Sequence, residues 1–455
     1  MKKSSRLGLK NWVGIILIGF VGQIAWAIEN QYINLWVYSQ GQNADYIKWM
    51  TWASAIVATL TTFFMGALSD RLGKRRIFIA GGYVIWGITV FLFGVMSNAN
   101  MGILFGVANA ALMAGVMNTV VDCVMTFFGS TANDACFNAH VTDVTNERNR
   151  PKVEAVLSVM PLFAVAAMLG IGSILGLPGD SSVADFSTKI AQPWFIFFLI
   201  FGVLTTIVGI VSFFILPKDE IAPNRNEPYM KNLVHGFRPS VVKTNPLFYI
   251  TLLAFMFFNI ATDSFMPYYL VYFTLPSAAG GLAISSSTFL IVMGIIMGLA
   301  SVIVLIFGFF MDKIGKLKLL IPAILTMAVG AFILFFVNDI AWVTVAGVVL
   351  MSGYLLGTAA LGAELRDQTP EKEVGLFQGV RMVGAVMIPM IIGSEASSLC
   401  FTKTYTNDFN QDVKAPDRWM FIVTAVSCVL AIVPAIWLIV QVKKRKVLAD
   451  PKISE

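Results

Sequence analysis

Gly66 to Arg76 reads G-A-L-S-D-R-L-G-K-R-R, and Gly308 to Lys318 reads G-F-F-M-D-K-I-G-K-L-K. Each stretch leaves one long apolar segment and enters another. Each has Gly, three residues, an acid, a base, one apolar residue, Gly and then cations. Such a repeat in so apolar a chain implies a duplicated bundle of membrane helices, with the same charged turn serving both halves. A second pair of loops agrees. Thr142 to Arg150 reads T-D-V-T-N-E-R-N-R and Arg366 to Glu373 reads R-D-Q-T-P-E-K-E, both holding Asp-x-Thr-x-Glu followed by a base. The two repeats have different offsets, which points to extra residues in the first half. The weakly polar stretch 98–116, with Asn98, Asn100 and Asn109, is the expected insertion, lying outside as an interfacial helix.

Composition supports the membrane reading. Of 455 residues, 57% are hydrophobic and only 13% charged, against about a quarter charged in a soluble domain. Mean hydropathy is +0.77. Runs of about 20 apolar residues match a hydrocarbon core of roughly 30 Å. Twelve occur, near 12–37, 47–68, 77–97, 117–141, 153–177, 192–216, 246–274, 284–311, 319–337, 341–362, 376–397 and 417–441. Backbone groups in lipid must be satisfied internally, so these spans are helices; no barrel-type alternation appears. The expected fold is an all-α integral membrane protein with two six-helix bundles, 1–216 and 246–441. A linker at 217–245, broken by Pro217, Pro223, Pro228 and Pro239, joins them, and a tail at 442–455 follows.

The charges orient the chain. Of 32 Lys and Arg, Lys48, Lys189, Lys403, Lys414 and Arg418 fall in the odd-numbered loops and Arg381 inside a span; the remaining 26 lie in even-numbered loops and tails. That bias predicts cytoplasmic termini in a multi-pass protein of the cell membrane. It also explains the net charge of +6 without a nucleic-acid partner. The basic N-terminus leads into a span too long for a cleavable signal. Cys123, Cys136, Cys400 and Cys428 are scattered, with no metal or redox spacing. There is no phosphate-binding Gly-rich loop and no catalytic constellation, so an enzyme is not expected, nor a cofactor or a metal. Duplicated bundles are the usual build of gradient-driven carriers. A non-transporting membrane sensor is disfavoured by the short tails.

The G-x-x-x-D-R-x-G-K-R-R loop resembles the signature of the major facilitator superfamily. Gly129 to Arg150, G-S-T-A-N-D-A-C-F-N-A-H-V-T-D-V-T-N-E-R-N-R, resembles span 4 and the next loop of the glycoside–pentoside–hexuronide:cation symporters. Gly22 to Asn30, G-Q-I-A-W-A-I-E-N, is similar to the start of the sucrose-transporter branch, and Phe377 to Met382, F-Q-G-V-R-M, to span 11 of bacterial members. The resemblance implies a monomer that carries a sugar or glycoside with H+ or Na+ by rocking-switch alternating access. Melibiose-permease-like members hold Na+ with two acids on span 2. Here those positions are Ala58 and Thr62, and hard cations want anionic oxygens, so H+ is the expected coupling ion. Export of drugs or other amphiphiles is the alternative that the superfamily permits.

Ionisable groups deep in lipid are costly and tend to be functional. Asp134 is the first candidate, about 13 Å inward of Asp143 at 1.5 Å per residue. The resemblance puts the functional carboxylate of span 4 there, beside Asn133. Glu29 lies in span 1 with Trp26 and Asn30 within a turn. Carboxylates and amides beside an aromatic suit a sugar's hydroxyls and C–H faces. Arg381, with Gln378 a turn earlier, stays charged and needs an anion nearby: Asp134, Asp263, Glu29 or the substrate. Asp263 lies mid-span 7, where Pro267 would break the helix and Tyr268 and Tyr269 could stack on sugar. Asp122 and Glu395 read as surface or gate polarity near the outer ends of their spans. In the repeated loops, Gly66, Gly73, Gly308 and Gly315 permit tight turns. Asp70 and Asp312, with Arg71, are expected to cap or pair with the opposing half as a cytoplasmic latch.

Overall fold

A computed structural model describes residues 7–145, 150–177, 191–217, 219, 235–370, 374–407 and 411–449. Twelve long helices cross the same slab. In chain order they are α1 (Leu9–Gly41), α2 (Ala44–Leu72), α3 (Arg75–Val95), α4 (Val107–Val144), α5 (Arg150–Ile174) and α6 (Ala191–Ile215) in the first half. The second half holds α7 (Pro246–Thr274), α8 (Ser286–Ile314), α9 (Lys316–Phe336), α10 (Ile340–Gln368), α11 (Val374–Met382 continuing to Cys400) and α12 (Trp419–Ala449). Eleven of them carry windows long and apolar enough to span a bilayer; α5 occupies the twelfth place. The most apolar window, Ser287–Phe307 in α8, has a mean hydropathy of 3.0 and is also the least covered by protein. Its exposed Ile291, Leu299, Val302 and Leu305 face where lipid would lie.

The expected insertion after span 3 is a short helix, Asn98–Phe105, capped by Ser97, whose hydroxyl accepts from the Asn100 N–H. Its Ile103 and Leu104, with Val107 just beyond, are among the most exposed apolar side chains. Most of the linker, including the His235 side chain, lies outside the described residues. Asp219 is described, and its carboxylate accepts from the backbone N–H of Arg75 and Arg76 at 3.0 and 3.2 Å. It thereby caps α3.

The repeated loops turn as their glycines predict. Gly73 ends α2 at φ 63° and Gly315 ends α8 at φ 96°, left-handed conformations that favour Gly. Gly66 stands 3.7 Å from the Ala135 side chain when given a Cβ. The side chains of Asp70, Asp312 and Gln378, and the surroundings of Gly308, lie outside the described residues; Arg71 is exposed. The bases that follow make the visible contacts. Arg75 Nε bonds Asp143 Oδ2 at 3.0 Å, and its Nη1 bonds Ser69 Oγ at 2.7 Å. In the second half Lys316 pairs with Glu364 at 3.0 Å and also with Asp367. Asp143 and Asp367 are the matching acids of the second repeated loop. The two sequence repeats therefore meet as one ion-pair device, used once per half.

The halves meet along α2 against α11 and α5 against α8. At the first seam Gly379 lets the Phe63 ring pack close: a Cβ there would fall 1.5 Å from that ring and force it to shift. Gly379→Ala should destabilise the protein by about 1–3 kcal/mol through overpacking, and adding Phe63→Ala should restore it. Equal thermal midpoints for wild type and Gly379→Ala would contradict this seam. Arg75→Gln should cost about 1–3 kcal/mol, since it removes the charged bonds to Asp143 and Ser69, read as a lower midpoint in detergent.

Candidate functional site

Three of the long helices change pitch at one level, near the middle of the slab. α1 widens to a π-helix over Ile28–Ile33, α4 over Ser130–Phe137 and α11 over Val383–Met387. α7 is interrupted between Phe265 and Tyr269, beside Pro267. Such turns are frequent at functional sites, and they free carbonyls that must find other donors. Asparagines supply them. Asn30 Nδ2 bonds Trp26 O at 2.8 Å, Asn34 Nδ2 bonds Asn30 O at 3.2 Å, and Asn138 Nδ2 bonds Asp134 O at 3.1 Å. Across helices, Asn259 Nδ2 of α7 bonds Ala385 O of α11 at 2.6 Å. The breaks coincide with the ionisable residues that the sequence singles out: Glu29, Asp134, Arg381 and Asp263.

Asp134 and Arg381 face each other across the two halves, within electrostatic reach. Arg381 is solvent-exposed although it lies within a span, as is Asn30; Trp26, Asp134 and Asp263 are half-buried. Arg366 of α10 also acts on Arg381 and borders an open recess of about 360 Å³ with Thr358, Gly362 and Ala363. Glu364 is taken by Lys316, so it is not the partner of Arg381. On the second-half wall, Asp263 acts electrostatically on Tyr354. Asp134 and Arg381 thus bring charged groups of the two halves together at the level of the helix breaks.

Other candidates serve the walls. Asn133 accepts from Trp26 Nε1 at 3.4 Å and donates to Tyr83 Oη at 2.6 Å, and Tyr83 donates to Ile18 O at 2.8 Å. That chain ties α1, α3 and α4 together and fixes Trp26, which also packs on Trp86 with ring centroids 4.9 Å apart. Tyr268 is fully buried, donates to Ser394 O at 3.0 Å and packs edge-on against Phe401. Glu29 is buried away from the opening, and its Oε1 accepts from Ser54 at 2.9 Å and Thr126 at 3.1 Å. Asp122 is not surface polarity: it is 1% exposed. The signal for it was present in the chain as Asp122, Thr126 and Ser130, a polar stripe at helical spacing that leads to Asp134.

The cavity is shut at the face opposite the termini. There, among the described residues, the halves are joined by Tyr38 Oη to Tyr405 Oη at 2.8 Å, by Trp52 Nε1 to Ser394 Oγ at 3.1 Å and by Lys48 to Glu395 at 3.4 Å. Tyr405 sits on a hairpin of β1 (Thr404–Thr406) and β2 (Asp412–Lys414). Asp417 pins that hairpin by accepting from the N–H groups of Thr402 and Lys403 at 2.8 and 3.1 Å. Glu395 is thus gate polarity, as its sequence position suggests. The exposure of Asn30, Asn138 and Arg381 places the opening at the face that carries the termini. A thiol at Asn30→Cys, with Cys400 replaced by Ser, should react with an impermeant maleimide only from the termini side in oriented vesicles. Reaction only from the opposite side would contradict this geometry.

No curated protein sequence matches the chain. Among solved structures it is similar to the nucleoside transporter NupG, with a TM-score of 0.64, 11% identity, and coverage of 95% of this chain and 98% of that one. It is similar to a D-xylose–proton symporter at a TM-score of 0.64 and 14% identity, covering 94% and 97%. It also resembles the inward-open xylose transporter XylE from E. coli, at 0.64 and 14%, covering 93% and 95%. At these identities the likeness speaks for the fold. The sequence profile described as "Major Facilitator Superfamily" matches residues 12–394 and, in an overlapping match, 264–454. With this match and twelve long helices among the described residues, the chain belongs to the major facilitator superfamily of membrane transporters.

Proposed function

We propose that this carrier is a secondary active symporter for a sugar or glycoside, driven by H+, and that the conformation described is the inward-facing one. The observation that carries the reading is the meeting of Asp134 and Arg381 across the two halves, with Arg381 exposed within its span. Trp26 and Asn30 stand on the wall beside them. A carboxylate, a guanidinium, an amide and an indole are the groups that hold hydroxyl rings and apolar sugar faces. The solved neighbours that carry xylose with a proton, or nucleosides, bind polyhydroxylated solutes, which agrees.

In the mechanism the cavity loads from one side while the Tyr38, Trp52 and Lys48 contacts hold the other side shut. Solute and proton neutralise the cavity and let the halves rock about the α2–α11 and α5–α8 seams. Asp134 carries the proton and accepts from the solute. Arg381 is the counter-charge that faces Asp134 across the halves. With the termini in the cytoplasm, as the charge bias favours, this state releases cargo inward. The protein would work as a monomer in the cell membrane.

Reconstituted vesicles test it. An inside-alkaline pH gradient should drive uptake of at least one α- or β-glucoside. Asp134→Asn should abolish accumulation while sparing exchange. Uptake of no glucoside would refute the sugar–proton reading, and full accumulation by Asp134→Asn would remove that residue from the proton path.

A further inference from the structure

Behind the cavity wall, between α1, α2 and α4, lies a cluster of oxygen donors that the cavity does not use. Glu29 comes from α1, Ser54 from α2, and Asp122 and Thr126 from one face of α4, a turn apart. All four side chains are more than nine-tenths buried. Glu29 Oε1 takes both hydroxyls, and Ser54 and Thr126 also contact each other at 2.9 Å. Ser54 faces Asp122 as well, and Glu29 and Asp122 act on each other electrostatically. Yet Glu29 Oε2 and both carboxyl oxygens of Asp122 have no hydrogen-bond partner. Among the described residues, no Lys or Arg acts on either carboxyl group. Arg381 acts on Asp134.

Two carboxyl groups withdrawn from water need a counter-charge, and three unsatisfied buried oxygens need a partner. A hard metal cation answers both needs, because it binds carboxylate and hydroxyl oxygens and does not require nitrogen or sulfur. We propose that Glu29, Asp122, Ser54 and Thr126 form a binding site for a small hard cation of the Na+ class, within the first half and apart from the cavity acid Asp134. The four residues come from three helices of one bundle, so the site would survive the rocking of the halves intact. It stands where span 2 itself has no acid: the anionic ligands come from α1 and α4, and α2 gives only a hydroxyl. The assignment does not rest on sugar as cargo.

The test needs no transport. Purified full-length protein in detergent, exchanged into choline chloride, is titrated separately with NaCl, LiCl and CaCl₂ at matched ionic strength while its thermal midpoint is read. The expected result is a saturable rise with Na+ or Li+, or with Ca2+ if the ion is divalent, beyond the choline control. Glu29→Gln and Asp122→Asn should lose that rise. Because they remove uncompensated buried carboxylates, they should fold without a lower cation-free midpoint. Ser54→Ala keeps both acids and should shift the titration to higher cation concentration. Midpoints indifferent to all three cations, or an undiminished response in Asp122→Asn, would overturn the site.

Discussion

Backbone groups inside a bilayer must be satisfied by protein, and this constraint governs the carrier's centre. Regular helices meet it without help. Here α1, α4 and α11 open into π turns at mid-slab, and α7 breaks beside Pro267. Each opening exposes polar backbone; asparagine amides close those of α1, α4 and α11, and the Ser397 hydroxyl donates to Ser264 O beside the α7 break. The Asn259 to Ala385 bond is the clearest case, because it spans two helices. Widened turns also rotate side chains away from the 3.6-residue register. That rotation lets Glu29 point into the bundle while its neighbour Asn30 reaches the open cavity.

Around that centre the molecule is stiff where it must be. Tyr83, Asn133 and Trp26 lock three helices of the first half together, so the cavity wall moves as a unit. At the terminal face each half has its own ion pair, Arg75 with Asp143 and Lys316 with Glu364 and Asp367. These join each half to itself and leave the halves free to part. The polar contacts between the halves lie at the opposite face and are few: two hydrogen bonds and one ion pair among the described residues. Each is worth about 1 kcal/mol, a scale that bound solute can overcome.

Much of this was legible in the chain. Apolar run length gave the helices, and the loop repeats gave the duplication, because lipid and charge impose strict local patterns. The repeats also contained the ion pairs, although the base that forms the first is Arg75 rather than a residue in the signature's core. Asp134, Glu29, Arg381 and Asp263 could be picked out as ionisable groups inside spans. What could not be read was which of them face water. Glu29 and Asn30 are adjacent, yet one is buried and the other exposed, and which of the two faces inward depends on how α1 is rotated against its neighbours. Tyr268 looked like a sugar platform beside a proline but is consumed in packing. The joining of Glu29 to Asp122 and Ser54 depends on three helices meeting, which no local pattern encodes.

The central claim is that the groups brought together at the helix breaks hold a hydroxylated solute. The most direct measurement is a thermal-shift screen of the purified carrier against mono- and disaccharides and against amphiphilic drugs, repeated on Asp134→Asn and Arg381→Gln. The account predicts saturable stabilisation by at least one sugar or glycoside, lost in both variants. Stabilisation by amphiphiles alone, or by a sugar equally in the variants, would contradict it.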